Sequence, residues 1–203
     1  ILFDLGKQKE ANIYQWNAIN LNPSFLQSYR ENAKTIYKTA FYIYSYTIFN
    51  HFQPIIEINP SLFEILVNKN IKQETITKIL NDLNNEDIRI RYSNELIENK
   101  LVYEKLVSIR GDEVSEVIES KNNVRRKENV PTIKLLGKKN IRLMYAAGKS
   151  KHTISSFWNK YYDGILCYGP YHEDRLKTRH KIPTSQMGYP RFDKYFNPGF
   201  ERN

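Results

Sequence analysis

Near its C-terminal end the chain reads Gly188-Tyr189-Pro190-Arg191-Phe192-Asp193. A guanidinium can meet a phosphate or carboxylate through two parallel hydrogen bonds, and here it stands two residues from an aspartate. Gly188 admits close approach of backbone to a ligand, and Pro190 stiffens the exit. Two other stretches carry chemistry. In Gly148-Lys149-Ser150-Lys151-His152 the two lysines are point charges suited to hold phosphate at a helix start. In Tyr168-Gly169-Pro170-Tyr171-His172 an imidazole falls in the first turn of a helix, within reach of a cleft. His180, at the far end of that helix, is expected to face solvent. The Gly-Lys-Ser tripeptide is not a phosphate-binding P-loop, because the glycine that should open it is Leu143. No Cys/His/Asp spacing suits a metal, and no cofactor is expected.

These residues need elements to position them. From about residue 133 apolar runs alternate with helical patterns: strands are expected near 141–146, 164–168 and 185–188, with helices between them. Strand, helix, strand at this spacing is a parallel α/β unit, so the fold class is α/β, a Rossmann-like parallel sheet flanked by helices. Ligands in such sheets bind beyond the carboxyl ends of the strands. That rule gathers Gly148, Lys149, Tyr168, Gly169 and the segment Gly188 to Asp193 on one rim. Cys167, inside "GILCYG", is expected to be an inert core thiol.

The first part of the chain reads differently. After "NPS" at 22–24, with Ser24 as N-cap, a helical stripe of Ile36, Ala40, Phe41, Tyr44 and Ile48 predicts one long helix to about Asn50. Its tyrosines lie in a charge-free stretch, which favours core packing over base stacking. "NPSLFEILVNKN" and "KQETITKILNDLNN" predict two short helices, "DIRIRYS" a strand, and the run from Asn94 to about residue 120 a helix interrupted at Gly111. The portion 24–120 is thus expected to be mainly helical. A polar, basic loop follows, and a short buried strand is expected at 1–6.

"YYDGILCYGPYHEDRL" followed by "MGYPRFDKYF" resembles the CDP-glycerol glycerophosphotransferase family and related capsule and teichoic-acid transferases. The resemblance covers about residues 138–196. It implies one half of a two-domain GT-B glycosyltransferase: a single N-terminal, acceptor-side domain whose donor-binding partner domain would follow residue 203. Its implied activity is transfer of glycerol phosphate or a sugar from a nucleotide donor, CDP-glycerol or a UDP-sugar, to a lipid-linked or polymeric cell-surface acceptor. The implied substrate-binding residues are Gly148, Lys149, Lys151, Tyr168, Gly169, His172, Gly188, Arg191 and Asp193. The family's His-Gly motif, whose histidine resembles a catalytic base for the acceptor hydroxyl, reads Ala147-Gly148 here. An alanine methyl cannot take a proton. His152, four residues beyond Gly148, is either its replacement or a solvated loop histidine. The missing histidine keeps a non-catalytic, acceptor-binding member of the family open. A UDP-N-acetylglucosamine 2-epimerase-like enzyme ranks behind both, since no His-Gly-Gly-Glu stretch occurs at 146–152.

Charge adds a second expectation. The 203 residues carry a formal net charge of +9, which favours anionic partners: phosphorylated ligands or an anionic membrane surface. A coding bias toward Lys, Asn and Ile accounts for the same charge. Nucleic acid rests on charge alone and is not expected as a partner. One cysteine fits a reducing cytoplasm. The longest uncharged stretch, 39–50, is too short to span a bilayer. The expected location is cytoplasmic, peripheral on the inner face of the membrane.

Overall fold

The computed structural model describes residues 24–83, 88–109, 132–144 and 150–195, together with isolated positions between 7 and 22. Its centre is an all-parallel sheet of seven strands: β1 (Lys34–Ile43), β2 (Phe63–Val67), β3 (Arg89–Tyr92), β4 (Leu101–Ser108), β5 (Gly137–Leu143), β6 (Gly164–Cys167) and β7 (Thr184–Gln186). The spatial order is β3-β2-β1-β4-β5-β6-β7. Progress runs outward one way from β1 and the other way from β4. This is the doubly wound, Rossmann-like arrangement, with its reversal between β1 and β4. Helices α1 (Phe25–Glu31), α2 (Tyr46–Ile58), α3 (Gln73–Leu83), α4 (Ser93–Glu98), α5 (Ile133–Leu136), α6 (Ser150–Ser155) and α7 (Pro170–Arg179) flank it.

The carboxyl halves of β1 and β2 are apolar on both faces, and that decides the architecture. Phe41 and Ile43 of β1 pack with Phe49, Phe52 and Ile56 of α2 and with Ile76 and Ile79 of α3. Ala40 and Tyr42, on the other face, pack with Leu96 of α4 and with Ile133 and Leu136 of α5. Each such fully buried side chain contributes about 1.5–3 kcal/mol. Ser45 caps the start of α2: its backbone is extended and its side chain accepts from the Ile48 amide at 3.4 Å.

The expected long helix from Ser24 to Asn50 is therefore replaced by α1, β1 and the start of α2. Ser24 does not cap with its side chain; Asn22 Oδ1 instead accepts from the Ser24 amide and hydroxyl. The helix expected over "NPSLFEILVNKN" is β2, and the one expected from Asn94 is α4 followed by β4. The mainly helical portion 24–120 thus contains four of the seven strands. A strand buried on both faces is apolar at nearly every position, so a 3.6-residue stripe can always be laid along it. The strand expected at 87–93 is β3, and the helix expected over "KQETITKILNDLNN" is α3. All three C-terminal strands expected are present, but β5 runs from Gly137 to Leu143 instead of 141–146, with residues 145 and 146 outside the described residues, and β7 is Thr184–Gln186. The strand at 1–6 and the basic loop lie outside the described residues.

Candidate functional site at the carboxyl edge of the sheet

Three connections meet beyond the carboxyl ends of the strands. β1 runs through Ser45 into α2, whose second turn carries His51. β6 leads into Tyr168-Gly169, and Gly169 caps α7, its carbonyl accepting from the amides of His172 at 3.1 Å and Glu173 at 3.0 Å. β7 continues its ladder for one residue, the Met187 amide donating to the Cys167 carbonyl at 2.8 Å. The chain then turns at Gly188, whose φ of 76° lies in the left-handed region. A Cβ there would meet nothing within 4 Å. Gly188 is thus required for its backbone conformation, not for the close approach expected from the sequence.

The turn sends Tyr189 back over the edge. Its ring lies 4.6 Å from Tyr168, 4.5 Å from Phe192 and 6.2 Å from the imidazole of His51, centroid to centroid. Tyr168 in turn meets His172 edge-on at 5.4 Å, and His172 meets Tyr171 at 5.4 Å. The result is a continuous aromatic ridge with exposed ends at Tyr171 and Phe192. Beside it the 3₁₀ turn Pro190–Tyr195 packs on α2 and carries Arg191, which is half-buried. Asp193, on the same turn, is exposed, and the two do not pair with one another. Among the described residues Arg191 has no carboxylate partner.

His51 is the residue that the sequence did not reveal. It is 5% exposed. Burial, and then the neighbouring Arg191 cation, lower its pKa from 6.5 to about 4. At neutral pH a neutral imidazole therefore lies beside the guanidinium. The consequence for stability has a definite sign. Above pH 6.5 folded and unfolded chains both hold this imidazole neutral; as pH falls toward 4, the unfolded chain binds a proton that the folded one refuses. Roughly 3 kcal/mol of stability should disappear across that window. Denaturation of wild type and His51→Gln at several pH values checks this; the variant should lack that part of the acid sensitivity.

A second histidine differs from expectation. His180 does not face solvent: it is half-buried, with Nε2 2.6 Å from the Ile154 carbonyl and 3.1 Å from Asn159 Nδ2. A ring nitrogen that close to a carbonyl oxygen carries the proton and donates it, so the Asn159 amide nitrogen beside it is a neighbour and not an acceptor or donor for that nitrogen. Asn159 Oδ1 accepts from buried Arg142, whose Nε also donates to the Ile109 carbonyl at 3.0 Å. The Arg142 bonds tie the carboxyl ends of β4 and β5 to Asn159, and the His180 bond ties the end of α7 to α6. Cys167 is buried as expected, and burial raises its thiol pKa.

Of the expected site residues, Tyr168, Gly169, His172, Gly188 and Arg191 come together at this edge, with Asp193 on its outer side. Lys151 is exposed on α6, its carbonyl accepting from Ser155 Oγ at 2.7 Å. His152 is on the same helix, with its side chain outside what is described; Gly148 and Lys149 lie outside the described residues. Among the described residues no group of His, Cys, Asp and Glu could hold a metal ion. None of their helices is long and apolar enough to cross a membrane. No protein-family model, curated protein or solved structure matches the chain.

Proposed function

We propose that this chain is the acceptor-side domain of a GT-B-type transferase that moves glycerol phosphate or a sugar from a nucleotide donor to a cell-surface polymer precursor. One observation carries the reading. A half-buried arginine with no carboxylate partner among the described residues stands at the carboxyl edge of a doubly wound sheet, between a neutral imidazole and an aromatic ridge. A free guanidinium takes up phosphate, and aromatic faces take up the C–H surface of a polyol or sugar. In this reading a second domain, beyond residue 203, holds most of the donor, and closure brings donor and acceptor into near-attack geometry.

In a transfer from CDP-glycerol the acceptor hydroxyl attacks phosphorus and CMP leaves. The hydroxyl proton needs a base. His172, half-exposed against Tyr168, is one candidate, and His152, carried from the sequence, is the other. His51 is too buried, and too weak a base, for that step. Ala147, where the resembling family has histidine, favours a second reading: a non-catalytic domain that only binds acceptor. Assay of the full-length protein with CDP-glycerol and UDP-sugars separates the two. Acceptor-dependent release of CMP or UDP supports the transferase, and acceptor binding with no release supports the binding domain. Absence of both rejects the site.

A further inference from the structure

Phe41, Tyr42 and Phe49 of the uncharged stretch 39–50 are buried, so they cannot serve the peripheral membrane contact expected from the sequence. Another surface carries the required chemistry. In register, Thr39 of β1 pairs with Lys105 of β4, and Lys105 with Lys139 of β5. Central strands of such a sheet are ordinarily covered on both faces, yet Lys105 and Lys139 are exposed. Like charges directly opposite one another are unfavourable, and among the described residues neither lysine is in an ion pair.

Apolar side chains stand at the border of this surface. Tyr37 is 84%, Ile58 83% and Leu62 58% exposed. Thr39 is in register with Phe63, so Leu62 adjoins the Tyr37-Lys38 segment, and Ile58 ends α2 four residues before Leu62. We propose that this face docks the protein on an anionic lipid bilayer. A nucleic acid would reward the lysines and the tyrosine and leave Ile58 and Leu62 in water. A bilayer rewards all of them: ammonium groups at anionic headgroups, the tyrosine ring at headgroup depth, and aliphatics at the acyl boundary. The surface lies toward the amino ends of the strands, so docking leaves the carboxyl edge free. The proposal does not depend on the transferase reading.

Co-sedimentation with phosphatidylcholine vesicles, and with equal mixtures of phosphatidylcholine and phosphatidylglycerol, tests it. Wild type should bind the mixed vesicles far better than the neutral ones. The double variant Lys105→Gln, Lys139→Gln should bind them roughly thirtyfold more weakly. Ile58→Ser with Leu62→Ser should weaken binding about tenfold without changing its salt dependence. A charge-matched control, Arg179→Gln, Lys181→Gln, should lose no more than a few-fold. Thermal melts establish that each variant is folded. Equal binding to both vesicle types overturns the proposal, as does equal loss in the double variant and the control. Competition by an oligonucleotide combined with indifference to the Ile58/Leu62 change overturns it in favour of nucleic acid.

Discussion

Replacing Arg191 with alanine should lower the transfer rate of the full-length protein roughly 10²–10³-fold while leaving its stability within about 1 kcal/mol. The two effects separate for a structural reason. Arg191 is half-buried on a short 3₁₀ turn and has no carboxylate partner among the described residues, so no anion is orphaned when it goes. What is lost is a donor aimed at phosphate charge, which matters most in a transition state. The variant has a second signature. Because the guanidinium helps to hold the His51 pKa down, its removal should raise that pKa, and the acid-induced loss of stability should shrink. Parallel measurement of transfer rate, Tm and acid denaturation reads all three. A normal rate would reduce Arg191 to packing; an equal loss of rate and stability would make it only a hinge.

The largest expected effect on stability lies far from the rim. Glu64, 4% exposed on β2, accepts from Arg91 Nε at 2.9 Å and from the Tyr103 hydroxyl at 2.7 Å. Arg91 also donates to Glu95 at 3.3 Å. β1 lies between β2 and β4, and it presents the small side chain of Ala40 in register with Glu64, which lets the carboxylate reach Tyr103 across it. Burial, followed by the bond to Glu64, raises the Tyr103 pKa far above the ordinary phenol range, so it remains a donor. Glu64→Leu should cost about 3–5 kcal/mol, because it leaves a buried hydroxyl without its acceptor and a nearly buried guanidinium with only the longer bond to Glu95. For a domain of this size that is a fall in Tm on the order of 10 °C. The pair Glu64→Leu with Arg91→Met should recover much of the loss, since an apolar replacement of a whole buried pair is often close to neutral. A double variant no more stable than the single one would mean that the cost is in packing.

The C-terminal strands were legible in the sequence because Gly148, Gly169 and Gly188 punctuate short apolar runs and Pro170 opens a helix. The first four strands were legible only in part. β3 alternates, but β1, β2 and β4 offer no alternation, and a continuous apolar run accommodates a helical stripe equally well. Run length and enrichment in β-branched and aromatic residues, as in "TIYKTAFYIY", would have favoured a strand. His51 was hidden for another reason. Its burial comes from the turn Pro190–Tyr195 packed on α2, a contact between segments some 140 residues apart that no local pattern encodes. Arg142 and His180 are similar cases: their partners Ile109, Asn159 and Ile154 meet only once the sheet is assembled. The strand order was also not legible, because the β1–α2 connection, Tyr44-Ser45, carries no glycine fingerprint.

The central claim is that the carboxyl edge binds a phosphate-bearing polyol or sugar acceptor. The most direct test is an NMR titration of this chain with short glycerol phosphate oligomers, which needs no donor domain. Saturable shifts should appear at Tyr168, His172, Tyr189 and Arg191 and vanish in Arg191→Ala, while Lys105 and Lys139 respond only weakly and without saturation. Shifts confined to the lysine-bearing face, or a rim response that survives loss of Arg191, would contradict the account.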